Sequence, residues 1–209
     1  MLIYGARNMI ALALLTTGCA FGLGSLLGFL AATMGGWVDQ VLSRFVDVVI
    51  SIPTLIFALI VLSSTGTSIL SLVTVIAIIY AMPVYRIARA VAMDIEVMDY
   101  VEAARLRGEG LWWIMRKEIL PNALTPLAAE FGLRFCFVFL LISGLSFLGL
   151  GLQPPLADWG AMVRDNGGGI AWGFMHPLIP ATCIALLTIG INLIVDSVVQ
   201  KASGLRKDH

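Results

Sequence analysis

The chain has 209 residues, of which 59% are hydrophobic and 12% charged, and its 13 basic and 13 acidic side chains leave no net charge. Soluble domains carry about 25% charged residues, so a mean hydropathy of +0.97 excludes an ordinary water-soluble globule. With no net charge and no basic stripe, the sequence offers no electrostatic footprint for nucleic acid.

A helical crossing of a bilayer needs about 20 mostly apolar residues. Five such runs can be read, over residues 9–34, 45–63, 68–85, 127–150 and 177–199. They define an all-α integral membrane protein: one domain, residues 1–209, folded as a polytopic bundle with about five transmembrane helices. Lipid offers the backbone no hydrogen-bond partners, which rules out open sheet. The first residues, MLIYGARN, precede an apolar run too long for a secretory signal core, so that run is read as a span.

In chain order, Gly22, Gly24 and Gly28 of the first run, with Ser25, make a small-residue face suited to close helix packing. Asp47 lies near one end of the second run, within reach of water. The third run continues as helix into water through residues 85–98, with Arg86 and Arg89 near its membrane end. Asp99 is expected to cap a short helix over residues 100–107, with Gly108 at its C-terminal end. Two turns cannot stand alone and need something to dock against. Beyond Gly110 a second helix sets Leu111, Ile114, Met115 and Ile119 on one apolar stripe. Trp112 and Trp113 suit the headgroup level. Pro121 is expected to end that helix, and Thr125-Pro126 to restart the chain as the fourth span.

On the fourth span, Glu130 and Arg134 are one turn apart and can pair. Gly144, Gly149 and Gly151 are expected to loosen its end before Gln153-Pro154-Pro155. Residues 152–176 form an external loop, long for a plain connector. In the last span Asn192 and Asp196 are one turn apart, and Asp196 is expected to hydrogen-bond between helices or to touch the charged segment. Cys19, Cys136 and Cys183 lie in apolar runs without metal-type spacing and read as packing residues. His176 and His209 are isolated.

Twelve of the 26 charged residues fall between Arg86 and Glu118. With five spans, Arg44, the six basic residues of this segment and Lys201, Arg206 and Lys207 of the tail share one side, ten in all, against Arg7 and Arg164 on the other. The side richer in Lys and Arg is cytoplasmic. The C-terminus and the region 86–122 are therefore expected to face the cytoplasm and the N-terminus the exterior. A capped hairpin of mixed charge suits a protein partner, with a short helix lying in a groove of a soluble molecule.

Glu102-Ala103-Ala104, then Gly108, then Ile119-Leu120-Pro121 resemble the EAA motif of the permeases of binding-protein-dependent ATP-binding-cassette importers. Glu118 stands where the general pattern has Ile, and RKEILPN is similar to the version of the peptide-type members. Tyr4-Gly5-Ala6-Arg7, Gly35-Gly36-Trp37-Val38-Asp39, Arg44-Phe45-Val46-Asp47, Ile52-Pro53, Ser146-Phe147-Leu148-Gly149-Leu150-Gly151, Gln153-Pro154-Pro155 and Trp159-Gly160 extend the resemblance along nearly the whole chain. They look like the second permease subunit of dipeptide, oligopeptide and nickel importers. The resemblance implies a type I importer permease fold, in a bacterial or archaeal plasma membrane. It implies a second, related permease subunit, two cytoplasmic ATP-binding subunits and an extracytoplasmic solute-binding protein as partners, besides membrane lipid. Glu102, Ala103 and Ala104 would touch the ATPase, Gly108 would allow the turn, and Ile119, Leu120 and Pro121 would complete the coupling motif, with Leu120 and Pro121 fixing the return into the membrane. Family members usually have six spans, with a cytoplasmic tail, a span and an external segment ahead of the YGAR region. A truncation, a late start or a five-span form would each give this beginning.

No GxxxxGK[ST] loop, Ser/His/Asp set or HExxH occurs. The chain is expected to be a transport subunit and not an enzyme, with no cofactor of its own and with energy drawn from a separate ATPase. A secondary carrier or a channel is the competing class. The former would show internal repeats and a mid-membrane ion site.

Overall fold

The computed structural model describes residues 2–202, and no strand occurs among them. The elements in chain order are α1 (Leu2–Met34), α2 (Gly36–Ile50), α3 (Thr54–Thr65), α4 (Ile69–Glu96), α5 (Asp99–Leu106), α6 (Leu111–Ile114), a π turn (Met115–Ile119), α7 (Leu120–Phe147), α8 (Trp159–Asn166), a 3-10 turn (Gly167–Trp172) and α9 (Leu178–Ala202). Four helices are long and apolar enough to cross a membrane, or five if α2 and α3 count as one broken span.

The small-residue face of α1 sets the architecture. A Cβ on Gly24 would lie 2.6 Å from the Ala81 carbonyl oxygen, and one on Gly28 would lie 2.8 Å from that of Tyr85. Only glycine lets the two backbones approach this closely. Each step of one turn along α1 is matched by one turn along α4 in the same direction, so the two helices run parallel. Gly22 does not share in this contact, contrary to expectation, for nothing lies within 4 Å of its Cβ position.

Parallel packing of α1 and α4 requires the chain between them to return across the bundle. It does so in two pieces. The expected straight span over 45–63 is instead broken by an 87° bend between α2 and α3. The cause is local: the ring of Pro53 keeps Ile52 out of the helical region, and Pro53 itself is extended, at φ −55° and ψ 124°. Val46 of α2 packs with Ala31 and Tyr85, and Ala58 and Leu62 of α3 join Leu72 and Phe139 in the main core.

α6, the π turn and α7 form one helix, Leu111–Phe147. It runs antiparallel to α1, with Phe21 edge-on to Phe131 and Met9 in the same cluster as Leu145. Neither Pro121 nor Pro126 breaks it, which corrects the expected stop and restart. The π turn lies just before Pro121 and relaxes the hydrogen-bond ladder where that residue has no N–H to give. α9 runs back along α7, with Val195 against Gly132 and the Cys136 thiol near the Thr188 carbonyl. Thus α1, α4 and α9 point one way, and α7 and the broken pair point the other. Arg44, Arg86, Arg89 and α5 gather at one end of the bundle; α8 and Arg164 lie at the other. Arg206, Lys207 and His209 lie outside the described residues.

Candidate coupling site

At the charged end, α5 is a helix of eight residues, and its placement is local chemistry first. Met98, not Asp99, is the N-cap; Asp99 is the first helical residue. There its carboxylate still favours the positive end of the helix dipole. The other end closes through paired bonds, Gly108 N–H to Arg105 O at 2.9 Å and Glu109 N–H to Ala104 O at 3.2 Å. This Schellman arrangement needs a left-handed residue after the cap, and Gly108 supplies it at φ +82°.

Packing then fixes the helix to the bundle. Val101 and Ala104, both fully buried, join Ala92 and Ile95 of α4 with Ile114, Met115 and Ile119. Burying the valine contributes about 1.5–3 kcal/mol and the alanine methyl about 0.8 kcal/mol. Arg105 pairs with Glu96 at 2.5 Å, tying α5 to the end of α4. Arg107 sits over the Trp113 ring, 5.9 Å from its centroid.

The expected coupling residues are therefore divided. Glu102 and Ala103 are exposed on the outer face of α5. Around them stand Val97 and Leu106, 81% and 84% exposed, and Tyr100 and Met98. Ala104, expected to touch a partner, is instead sealed within this chain, as is Ile119; both hold the helix in place. The reason is periodic: on one helix face, positions 101 and 104 turn inward together, and positions 102, 103 and 106 cannot follow. Leu120 and Pro121 are exposed. Val97 and Leu106 were missed in the sequence; apolar residues flanking a charged, capped helix were the available signal.

Two ion pairs brace the neighbouring surface. Arg86 reaches Asp47 at 2.5 Å, and Arg89 grips Asp39 with two nitrogens, one at 2.6 Å from Oδ2. Ser43 bonds both Asp39 and the Tyr85 hydroxyl. Further along α7, Arg134 and Glu130 pair as expected. Asp196 is exposed and makes no hydrogen bond among the described residues.

At the opposite end, the 152–176 segment is built tightly. Gly149, at φ +90°, closes α7 with the same paired bonds as Gly108, from its own N–H to Ser146 O and from Leu150 N–H to Leu145 O. A Cβ on Gly151 would lie 1.7 Å from Ser146 Oγ, and one on Gly160 2.3 Å from Ser143 O. Gly149 and Gly151 thus seat the loop instead of loosening the helix. Asp158 caps α8, accepting from Ala161 N–H at 3.1 Å and from Ser146 Oγ at 2.5 Å. Burial pushes its carboxyl above the ordinary range, against the opposing pull of these donors. Trp159 donates from Nε1 to Leu2 O and packs edge-on to Phe139, and Gly5 gives it room. The YGAR segment, far away in sequence, meets the FLGLG and WG segments here. Beside them a cavity of about 440 Å³ is bordered by Asp158, Arg164, Asp165 and His176.

A bundle of long apolar helices, four of them long and apolar enough to cross a membrane, defines a multi-pass membrane protein. Residues 24–202 match the family described as "Binding-protein-dependent transport system inner membrane component", and the chain belongs to that family. A probable D,D-dipeptide transport system permease protein of Escherichia coli strain K12 is 33% identical over 93% of this chain and 65% of its own length. A di/tripeptide transport system permease protein of Pseudomonas aeruginosa is also 33% identical, over 93% of this chain and 64% of its own length. The chain thus spans less than two thirds of the curated relatives it matches. In a structure of the methionine transporter MetNI in inward-facing conformations, one chain superposes with a TM-score of 0.75 at 19% identity, over 96% of this chain and 95% of that one. That likeness concerns the fold.

Proposed function

We propose that this chain is a transmembrane subunit of an ATP-driven importer that moves small peptides, or a related solute, into the cytoplasm by alternating access. The observation that carries the reading is the outward face of α5. Glu102 and Ala103 are presented beside exposed Val97, Tyr100 and Leu106 on a helix whose inner face is locked to α4 and to the Leu111–Phe147 helix. Such a helix passes a push from a soluble partner into two long helices without absorbing it.

In this reading the region 86–122 is the cytoplasmic coupling region. Two ATP-binding subunits each engage one such helix, one on this chain and one on a second, related permease subunit. The solute pathway runs between the two permeases, because so few helices do not enclose a peptide-sized route alone. The 152–176 segment is external and faces a solute-binding protein that delivers the cargo. The gathering of Arg44, Arg86, Arg89, Arg105, Arg107, Arg116 and Lys117 at one end supports this orientation by the excess of Lys and Arg on the cytoplasmic side. The peptide class rests on the relatives, whose names specify dipeptide and tripeptide transport.

The test is reconstitution with the associated ATPases and binding protein. Uptake should require ATP and all subunits, and cysteine labelling should find Glu102→Cys accessible from the cytoplasmic side. Solute carried by the purified permease with no ATPase, or an externally labelled position 102, would overturn the reading.

A further inference from the structure

A groove of about 530 Å³ opens between α1 and the Leu111–Phe147 helix, on the flank of the bundle nearest α5. Its floor is made where α1 has no bulk: Gly22 and Ser25 face it, and nothing stands within 4 Å of the Gly22 Cβ position. Its far end is walled by Phe21 and Phe131, whose ring centroids are 5.0 Å apart. At its mouth stand Trp112 and Arg116. Apart from Ser25 and the indole N–H, Arg116 is the polar side chain in an otherwise apolar lining.

We propose that this groove binds one acyl chain of an anionic phospholipid, drawn from the leaflet at the α5 end, with the lipid phosphate held by Arg116. The dimensions fit a leaflet. At 1.5 Å per helical residue, the groove-lining face that carries Leu120, Leu124, Leu127, Ala128 and Phe131 is about 16 Å long, against about 15 Å for half of a hydrocarbon core. Arg116 lies one further turn out, about 6 Å, at the depth of a phosphate. Trp112, 62% exposed, stands at the level where indoles sit among headgroups. A transmembrane helix of another protein is the poorer fit, because it needs about 30 Å of continuous contact and this groove is closed by the aromatic pair halfway.

Charge decides the headgroup. Arg116 makes no ion pair among the described residues, and neither does its exposed neighbour Lys117. The nearest acid in sequence, Glu118, is half-buried and does not border the groove. An uncompensated guanidinium beside an apolar slot between membrane helices suits an anionic lipid. Each methylene taken into such a slot contributes roughly 0.8 kcal/mol when the alternative is water, but in a membrane that term largely cancels. Selectivity therefore rests on Arg116, and residence on the shape around Gly22.

Native mass spectrometry of the intact permease assembly, released from bilayers of equal phosphatidylglycerol and phosphatidylcholine with matched chains, tests this. The wild type should retain phosphatidylglycerol over phosphatidylcholine by about fivefold or more. Arg116→Gln should bring the two within twofold, and Arg116→Lys should keep the preference. Gly22→Leu should lower retention of both lipids. Equal retention by the wild type, an undiminished preference in Arg116→Gln, or unchanged retention in Gly22→Leu would overturn the proposal. So would a helix of a partner subunit resolved in the groove. If Gly22→Leu does not assemble, the two Arg116 variants decide. Lipid retention is read without solute or ATP, so its failure is distinct from failure of the import reading.

Discussion

Replacing Gly108 should release α5 in graded steps. Its left-handed backbone, at φ +82°, and its N–H bond to Arg105 O both close the helix. Alanine keeps the bond but carries a Cβ into the left-handed region, at a cost of about 1–2 kcal/mol. Asparagine tolerates that region better and should cost less. Proline fixes φ near −65° and has no N–H, so it cannot adopt the turn and also forfeits a bond of about 1 kcal/mol. The sum for Gly108→Pro is about 2–3 kcal/mol, comparable to what buried Val101 and Ala104 contribute in holding the helix down. Each 1.36 kcal/mol is a factor of ten in an equilibrium, so amide hydrogen exchange across residues 101–107 should accelerate by roughly 30- to 160-fold. Exchange in the rest of α4 and α7 should not change. ATPase pull-down should fall in the order glycine, asparagine, alanine, proline. Wild-type exchange and recruitment in Gly108→Pro would refute the claim that this turn holds the coupling surface.

Glu102→Lys should leave thermal unfolding of the permease within about 0.5 kcal/mol of wild type, as expected for an exposed residue without a partner, yet abolish recruitment of the ATPase in a pull-down. Gly24→Leu and Gly28→Leu force bulk into the α1–α4 contact and should destabilise by about 1–3 kcal/mol or more, seen as a lower Tm and a poor monodisperse yield. Gly22→Ala, with open space at its Cβ, should be near neutral in the same assay. Asp158 has a folded pKa raised above its unfolded value, so the folded state holds more protons in the window between the ordinary carboxylate range and the raised value. Proteolytic resistance of the α8 segment should therefore fall as pH rises through that window, and Asp158→Asn should flatten the dependence. A profile identical in the variant would contradict the assignment.

Three of the segments that resemble the permease family, YGAR at the start of the chain and FLGLG and WG far beyond it, converge. Gly5, Ser146, Gly151, Trp159 and Gly160 fit one another at a single joint, where a Cβ on any of the glycines meets a neighbour at under 3 Å. Gly108 and Gly149 serve the same backbone closure at opposite ends of the bundle. Sequence reasoning found the first by its motif and misread the second as a point of looseness, because a left-handed cap and a flexible hinge look alike until the paired bonds are seen.

By itself the sequence determined the helical membrane class, the approximate positions of the crossings, the segregation of charge and the short helix with its glycine stop. All of these follow from local composition and periodicity, which lipid and backbone hydrogen bonding constrain directly. Only the tertiary structure decided that α1 and α4 run parallel and that the returning span breaks by 87°. It also decided that the helix runs through Pro121 and Pro126, and that Ala104 turns inward while Glu102 and Ala103 turn out. Prolines mark the elbow and the π turn locally, but whether each proline bends the chain or is carried through a continuous helix, and which glycines meet a neighbour, depends on which face meets which partner distant in the chain.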